Sequence, residues 1–242
     1  AMTGMERAVC DWVIDLLGLP TESGAGICTG ATLANTSGVA AARNALLAEH
    51  GWNVEAQGLF GAPEISVLIG ADSHSAPLAA LRYTGLGAER VHRVPTDEQG
   101  RILPEAFAQV LASVSGPVLV ILQAGQINSG AFDPFDVIVP MAKAKSAWVH
   151  VDGAFGLWLA AVPELQPRLA GVEKADSWAV DLHKWLNAPF DAGMVIVRNR
   201  APLVASMSAR GAYLPETTAH WEPSDSVFEL SRRARGVPSY AI

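Results

Sequence analysis

The sequence predicts an α/β fold, a mainly parallel sheet sandwiched by helices. Three observations carry this. Short apolar runs alternate along the chain with amphipathic, helix-like stretches. The run Val118-Leu-Val-Ile-Leu122 is apolar without a break, as a strand covered on both faces must be. Polar and titratable residues gather just past the carboxyl ends of the runs, where such sheets bind ligands. Half of the 242 residues are hydrophobic and 17% are charged, enough apolar surface for a sizeable core.

Taken in order, residues 5–17 read as a helix with Val9, Trp12, Val13, Leu16 and Leu17 on one apolar face, stopped by Gly18 and Pro20. Gly24 to Asn35 reads as a small-residue turn entering a helix of about 15 to 18 residues. Thr29 or Thr32 is the expected cap, and Val39, Ala42 and Leu46 continue the buried face. Ile65–Ile69 is a strand, ending at Asp72-Ser-His-Ser75, and a helix covers about Ala76 to Tyr83. Val91–Val94 is a strand and Pro104 opens a helix to about Val114. The Val118–Leu122 strand ends in Gln123-Ala-Gly-Gln-Ile-Asn-Ser-Gly130, and Asp133-Pro134 starts a helix by cap and N1 proline. Ala147–Val151, Trp178–Val180 and Met194–Val197 complete the strands, with a helix expected from Pro202.

The bulk properties exclude several classes. A net charge of −7 argues against a nucleic-acid partner, and the one dense basic cluster, Arg232-Arg233-Ala-Arg235, is too short to supply it. Cys10 and Cys28 make neither a disulfide framework nor a metal spacing, so no metal is expected and a reducing, cytoplasmic setting fits. No apolar run approaches the roughly 20 residues of a membrane span, and the first residues lack the pattern of a secretory signal. The chain divides into an N-terminal helix and linker (1–22), a large domain (23–210) and a C-terminal segment (211–242).

Only four lysines are present, and Lys184 alone sits between an apolar run and Trp185-Leu186. Burial of such an amine favours its neutral, nucleophilic form. An exposed amine on a buried stem is the plainer alternative. His74, the Gln126–Asn128 region, Asp152 and His183-Lys184 all follow predicted strand ends, and the Thr32 turn opens a helix on the same rim. Singly each has an ordinary structural reading: His74 a helix cap, Asp152 a polar strand end, His183 a satisfied core histidine. Together they suit a phosphorylated aromatic aldehyde. Gly30, Ala31 and Thr32 offer helix amides to the phosphate. Lys184 offers the amine, and Asp152 a carboxylate to keep a pyridine nitrogen protonated. His74 and Ala154 suit the two faces of the ring. That is the apparatus of pyridoxal 5′-phosphate chemistry.

Six motifs then carry a resemblance that runs from about residue 5 to the end. They are Thr29-Gly-Ala-Thr-Leu-Ala-Asn35 with Ala41-Ala-Arg43, Asp72-Ser-His-Ser75, Gly130-Ala-Phe-Asp-Pro134, His150-Val-Asp-Gly-Ala154, Asp181-Leu-His-Lys-Trp-Leu186 and Ser231-Arg-Arg-Ala-Arg-Gly236. In this order, with Lys184 32 positions after Asp152, the chain resembles the group II pyridoxal-phosphate-dependent amino-acid decarboxylases. The resemblance implies a fold type I large domain. It implies a Schiff base at Lys184, a ring-nitrogen partner in Asp152, ring stacking by His74 and packing by Ala154. It places Gly30, Ala31, Thr32, Asp181 and His183 around the phosphate, and Gln126 near the ring hydroxyl, where the family has threonine. Asp181 stands where several members have asparagine, and a second anion there is unfavourable.

The implied activity is decarboxylation of an L-amino acid by a homodimer with the cofactor near its interface. Another pyridoxal-phosphate lyase or an aminotransferase shares the same apparatus. A non-catalytic truncated domain is the alternative from another class, because family members are about twice as long and neither Tyr213 nor Tyr240 matches the family's proton-donating tyrosine.

Overall fold

The computed structural model describes residues 2–209 and 222–242, so Tyr213 lies outside the described residues. The chain runs α1 (Met2–Leu16), β1 (Gly24–Cys28), α2 (Ala31–Glu49), α3 (Val54–Gln57), β2 (Ser66–Gly70), α4 (Ser75–Tyr83) and β3 (Val91–Val94). It continues α5 (Pro104–Ser113), β4 (Val118–Gln123), α6 (Phe135–Ala144), β5 (Trp148–Asp152), β6 (Ser177–Asp181), β7 (Gly193–Val197), α7 (Arg200–Met207) and α8 (Gly236–Tyr240). Short 3₁₀ turns link β5 to β6.

The strands form one sheet in the order β1-β7-β6-β5-β4-β2-β3. The pairs β6-β5, β5-β4, β4-β2 and β2-β3 are parallel, while β7 is antiparallel to both neighbours. Alternating side chains divide the core. Val120, Leu122, Val149, Val151, Trp178 and Ile196 pack towards α1, α5 and α6. Leu119, Ile121, Ala179, Val195 and Val197 pack towards α2, α4 and α7. Every residue of β4 is buried, as its unbroken apolar run requires.

Four sequence expectations change. The stretch from Gly24 to Cys28 is a fully buried strand and not a turn. Its small residues let close neighbours in: a Cβ on Gly26 would meet Ser226 at 2.6 Å. Neither Thr29 nor Thr32 caps α2; Gly30 holds the cap position with no side-chain bond. Asp133 does not cap α6, whose N-cap is Pro134. Its buried carboxylate instead accepts the N–H groups of Ile102 (2.8 Å) and Gln123 (2.7 Å), tying the Ile102 segment to the end of β4. In α1 the buried apolar stripe is Val9, Cys10, Val13 and Ile14, continued by Leu17 just past its end, while Trp12 and Leu16 face outward. Trp12 stacks on Tyr240 of α8 at 5.0 Å, so helix-helix contact displaces the expected face.

The C-terminal basic run is neutralised within the chain. Arg232 pairs with Glu6 of α1, both nearly buried. Arg233 and Arg235 both reach Asp191, at 2.9 and 3.2 Å. Among the described residues no helix is long and apolar enough to cross a membrane.

Candidate active site

Three parallel strands end in polar side chains of one parity. Gln123 closes β4, Asp152 closes β5 and Asp181 closes β6. Gln123 pairs in register with Asp152, so both lie on the α2 face of the sheet. These ends border a cavity of about 280 Å³ lined also by Gly30, Ala31, Thr32, His74, Ala154, Phe155, His183 and Lys184. Nine of the ten residues expected at the site therefore meet at one cavity.

The exception is Gln126. Its side-chain oxygen accepts the N–H groups of Asn128 (2.6 Å) and Ser129 (2.9 Å), holding its own loop. Gln123 lines the cavity in its place. The sequence signal for Gln123 was its position as the last residue of the apolar strand run, one parity step from Ile121. Phe155 was also missed, and its ring lies 5.9 Å from the Lys184 Nζ.

The amide end of α2 reaches the rim because β1 runs in the same direction as β6, both antiparallel to β7. Cys28 and Asp181 then share the same β7 partner, Gly193. Close approach follows: a Cβ on Gly193 would lie 2.5 Å from Gly30 Cα. A Cβ on Gly30 would lie 3.1 Å from Asp181 Oδ1. Asp181 points inward. Its Oδ1 accepts the Ala31 N–H at 2.5 Å, and its Oδ2 lies 2.9 Å from Lys184 Nζ. A carboxylate is at home against the positive end of a helix dipole.

Lys184 is less desolvated than its sequence setting suggests, since 39% of its side chain is exposed. It belongs to a tight loop, where Leu182 and His183 both donate to the Ala192 carbonyl. His183 Nδ1 accepts the Ala192 N–H at 3.1 Å, which leaves the proton of the neutral ring on Nε2, 3.5 Å from Asp181 Oδ1. Phe190 stacks on the other side of the imidazole at 4.1 Å. The neighbouring Asp191 is the residue that Arg233 and Arg235 hold, and Arg235 keeps its carboxyl below the usual range.

Asp152 is buried, and desolvation raises its carboxyl above the usual range. The Ala154 N–H at 3.2 Å and the Asn35 side chain oppose that shift. His74 sits exposed across the cavity mouth, where its Nδ1 caps α4 through the Ala76 N–H at 3.1 Å. The capping reading of His74 and its place at the cavity are thus both met. Ala154 sits next to Asp152, and its carbonyl accepts the Asp181 N–H at 2.9 Å.

A buried carboxylate held only by amides fits a protonated ring nitrogen, the amine fits an aldehyde, and the α2 amides fit a phosphate. At that last position Asp181 already holds one amide. The fold and the chemistry of the cavity thus fit a protein that binds a phosphorylated pyridine aldehyde.

The sequence profile of the pyridoxal-dependent decarboxylase conserved domain matches residues 1–242, and the chain belongs to that family. Pyridoxal phosphate is the cofactor of this domain. Aromatic-L-amino-acid decarboxylase of Bacillus atrophaeus is 27% identical over 241 residues, covering 96% of this chain and 48% of the relative. Tryptophan decarboxylase 1 of Oryza sativa subsp. japonica is 30% identical over 267 residues, covering 100% and 50%. Among solved structures, Oryza sativa TDC with PLP and tryptamine is similar at a TM-score of 0.88 and 27% identity, covering 99% of this chain and 52% of that one. The chain spans about half the length of the curated relatives it matches.

Proposed function

We propose that this chain is the cofactor-holding large domain of an L-amino-acid decarboxylase, with Lys184 as the residue that bonds to the cofactor aldehyde. The observation that carries the reading is the placement of Lys184, Asp152 and the α2 amide end around one cavity in a chain of this family.

When bound, the cofactor supplies an electron-withdrawing ring that accepts the charge left by a departing carboxylate. The chain's own groups have the following tasks. Lys184 would supply the amine that bonds to the aldehyde, and Asp181 Oδ2 at 2.9 Å holds and orients that amine. Asp152, with its low-dielectric surroundings, holds a proton at the ring nitrogen. His74 and Ala154 would flank the ring, and Gln123 would stand near the ring hydroxyl, the place the resemblance implies for Gln126. Asp181 and His183 stand at the phosphate end with Gly30, Ala31 and Thr32.

In this reading residues 1–22 and 211–242 flank a large domain at 23–210, and the working unit is a cytoplasmic homodimer. Support for the dimer is apolar surface beside the site: Ile127, which lines the cavity, and Trp185, next to Phe155, are each 56% exposed, and Phe190, stacked on His183, 74%. Both cysteines are free and buried, in keeping with a reducing compartment.

Incubation with pyridoxal phosphate and borohydride, then peptide mass spectrometry, tests the lysine. A pyridoxyl group on Lys184, absent from Lys184→Ala, is the expected result. Label on Lys143, Lys145 or Lys174 instead would end the assignment. An amino-acid screen for carbon dioxide against keto acid then separates decarboxylation from transamination.

A further inference from the structure

The phosphate end of the cavity contains its own anion. Asp181 is 3% exposed and its Oδ1 sits on the Ala31 N–H at 2.5 Å. Its other oxygen holds Lys184, and His183 Nε2 is 3.5 Å away. Leu33 and Ala34 amides already bond to the Gly30 carbonyl. Asp181 therefore holds an amide that an incoming phosphate would use at this helix end. His183 is the other side chain at Asp181 able to carry positive charge. Two anions held at one helix terminus, a few ångströms apart and shielded from water, repel strongly.

Building on the functional reading above, we propose that Asp181 is a specificity-determining residue for the cofactor: it competes with the phosphate for the α2 amides and lowers the preference for the phosphorylated aldehyde over pyridoxal. The same carboxylate holds α2 and Lys184 in register through the Ala31 amide and the lysine Nζ. Its geometry explains how an acidic residue is tolerated where an amide would serve the phosphate better. Asparagine keeps the oxygen that accepts from Ala31 and removes the charge.

The test measures dissociation constants of pyridoxal phosphate and pyridoxal for the wild type, Asp181→Asn and Asp181→Ser. Loss of the Lys184 ion pair changes the amine's reactivity towards both aldehydes alike, so the ratio of the two constants isolates the phosphate. The expected result is a rise of about tenfold or more in preference for the phosphorylated aldehyde in both variants. Thermal melts identify a variant that has lost its fold, and the other then decides. A ratio unchanged within about twofold, or shifted towards pyridoxal, overturns the inference. Borohydride labelling of Lys184 by both aldehydes, with an unchanged ratio, overturns it while leaving the functional reading intact. Absence of label from either aldehyde in every protein removes both.

Discussion

Gly193→Ala tests whether the sheet itself sets the position of the α2 amides. The added Cβ would lie 2.5 Å from Gly30 Cα, 2.6 Å from its carbonyl carbon and 3.0 Å from Ala31 N. These are backbone atoms, so no side chain can rotate away. Relaxing 2.5 Å to an ordinary carbon contact near 3.5 Å moves the turn off β7 by about 1 Å. Overpacking of this kind costs about 1–3 kcal/mol. For a chain of this size that is a fall in Tm of about 2–12 °C. A shift of about 1 Å also takes an amide-to-phosphate hydrogen bond out of range, and one charge-assisted bond is worth about 1.5–3 kcal/mol. Affinity for pyridoxal phosphate should therefore drop about 10- to 100-fold, with a smaller loss for pyridoxal. Calorimetry and aldehyde titration read the two effects. Gly4→Ala is the control, since nothing lies within 4 Å of its added Cβ and helix propensity favours alanine. Retention of wild-type melting and affinity in Gly193→Ala would refute the claim that this contact positions the turn.

Three other outcomes follow from burial and charge. Burial pushes the Asp133 carboxyl up to about 6, despite its two amide donors. The folded chain thus holds that proton more tightly than the unfolded one, and stability from this group is lost as pH rises from about 4 through 6, by about 3 kcal/mol in all. Urea titrations of Asp133→Asn at pH 4.5 and pH 7 should lack that component, so the variant's deficit relative to wild type shrinks at the higher pH. Glu6→Ala leaves Arg232 uncompensated with 7% of its side chain exposed and should cost about 3–5 kcal/mol, while the Glu6→Met, Arg232→Met double variant recovers much of it. Asp191→Asn releases the loop carrying His183 and should weaken cofactor binding about 3- to 10-fold with a loss of about 1 kcal/mol in stability, read by titration and urea midpoint.

Much of the site was legible because chemistry sits where apolar runs stop. Lys184, Asp152 and His74 followed from that rule, and so did the parallel strands that present them. β1 was not legible, because Gly24, Ala25 and Gly26 lack the branched side chains that announce a strand; the chain is extended there because β7 pairs with it and Ser226 packs on it. Gln123 lines the cavity and Gln126 does not, because a one-residue ambiguity in a strand end decides which face a side chain takes. The inward direction of Asp181 depends on the α2 amide that meets it, a contact across 150 positions of sequence. Capping was misjudged for a similar reason: a distant carboxylate does at α2 what a nearby threonine hydroxyl usually does.

The ion pairs of Arg232, Arg233 and Arg235 bind three parts of the chain that share no secondary structure: α1 through Glu6, the loop beside His183 through Asp191, and the segment leading into α8. Trp12 against Tyr240 closes the same set. Elements joined in this way open together, so amide exchange in α1 and α8 should follow one opening free energy and not two. Order at the chain's extremities is then thermodynamically coupled to order of the loop that carries Lys184. Ligand bound at that loop should therefore slow amide exchange in α1, although α1 lines no part of the cavity.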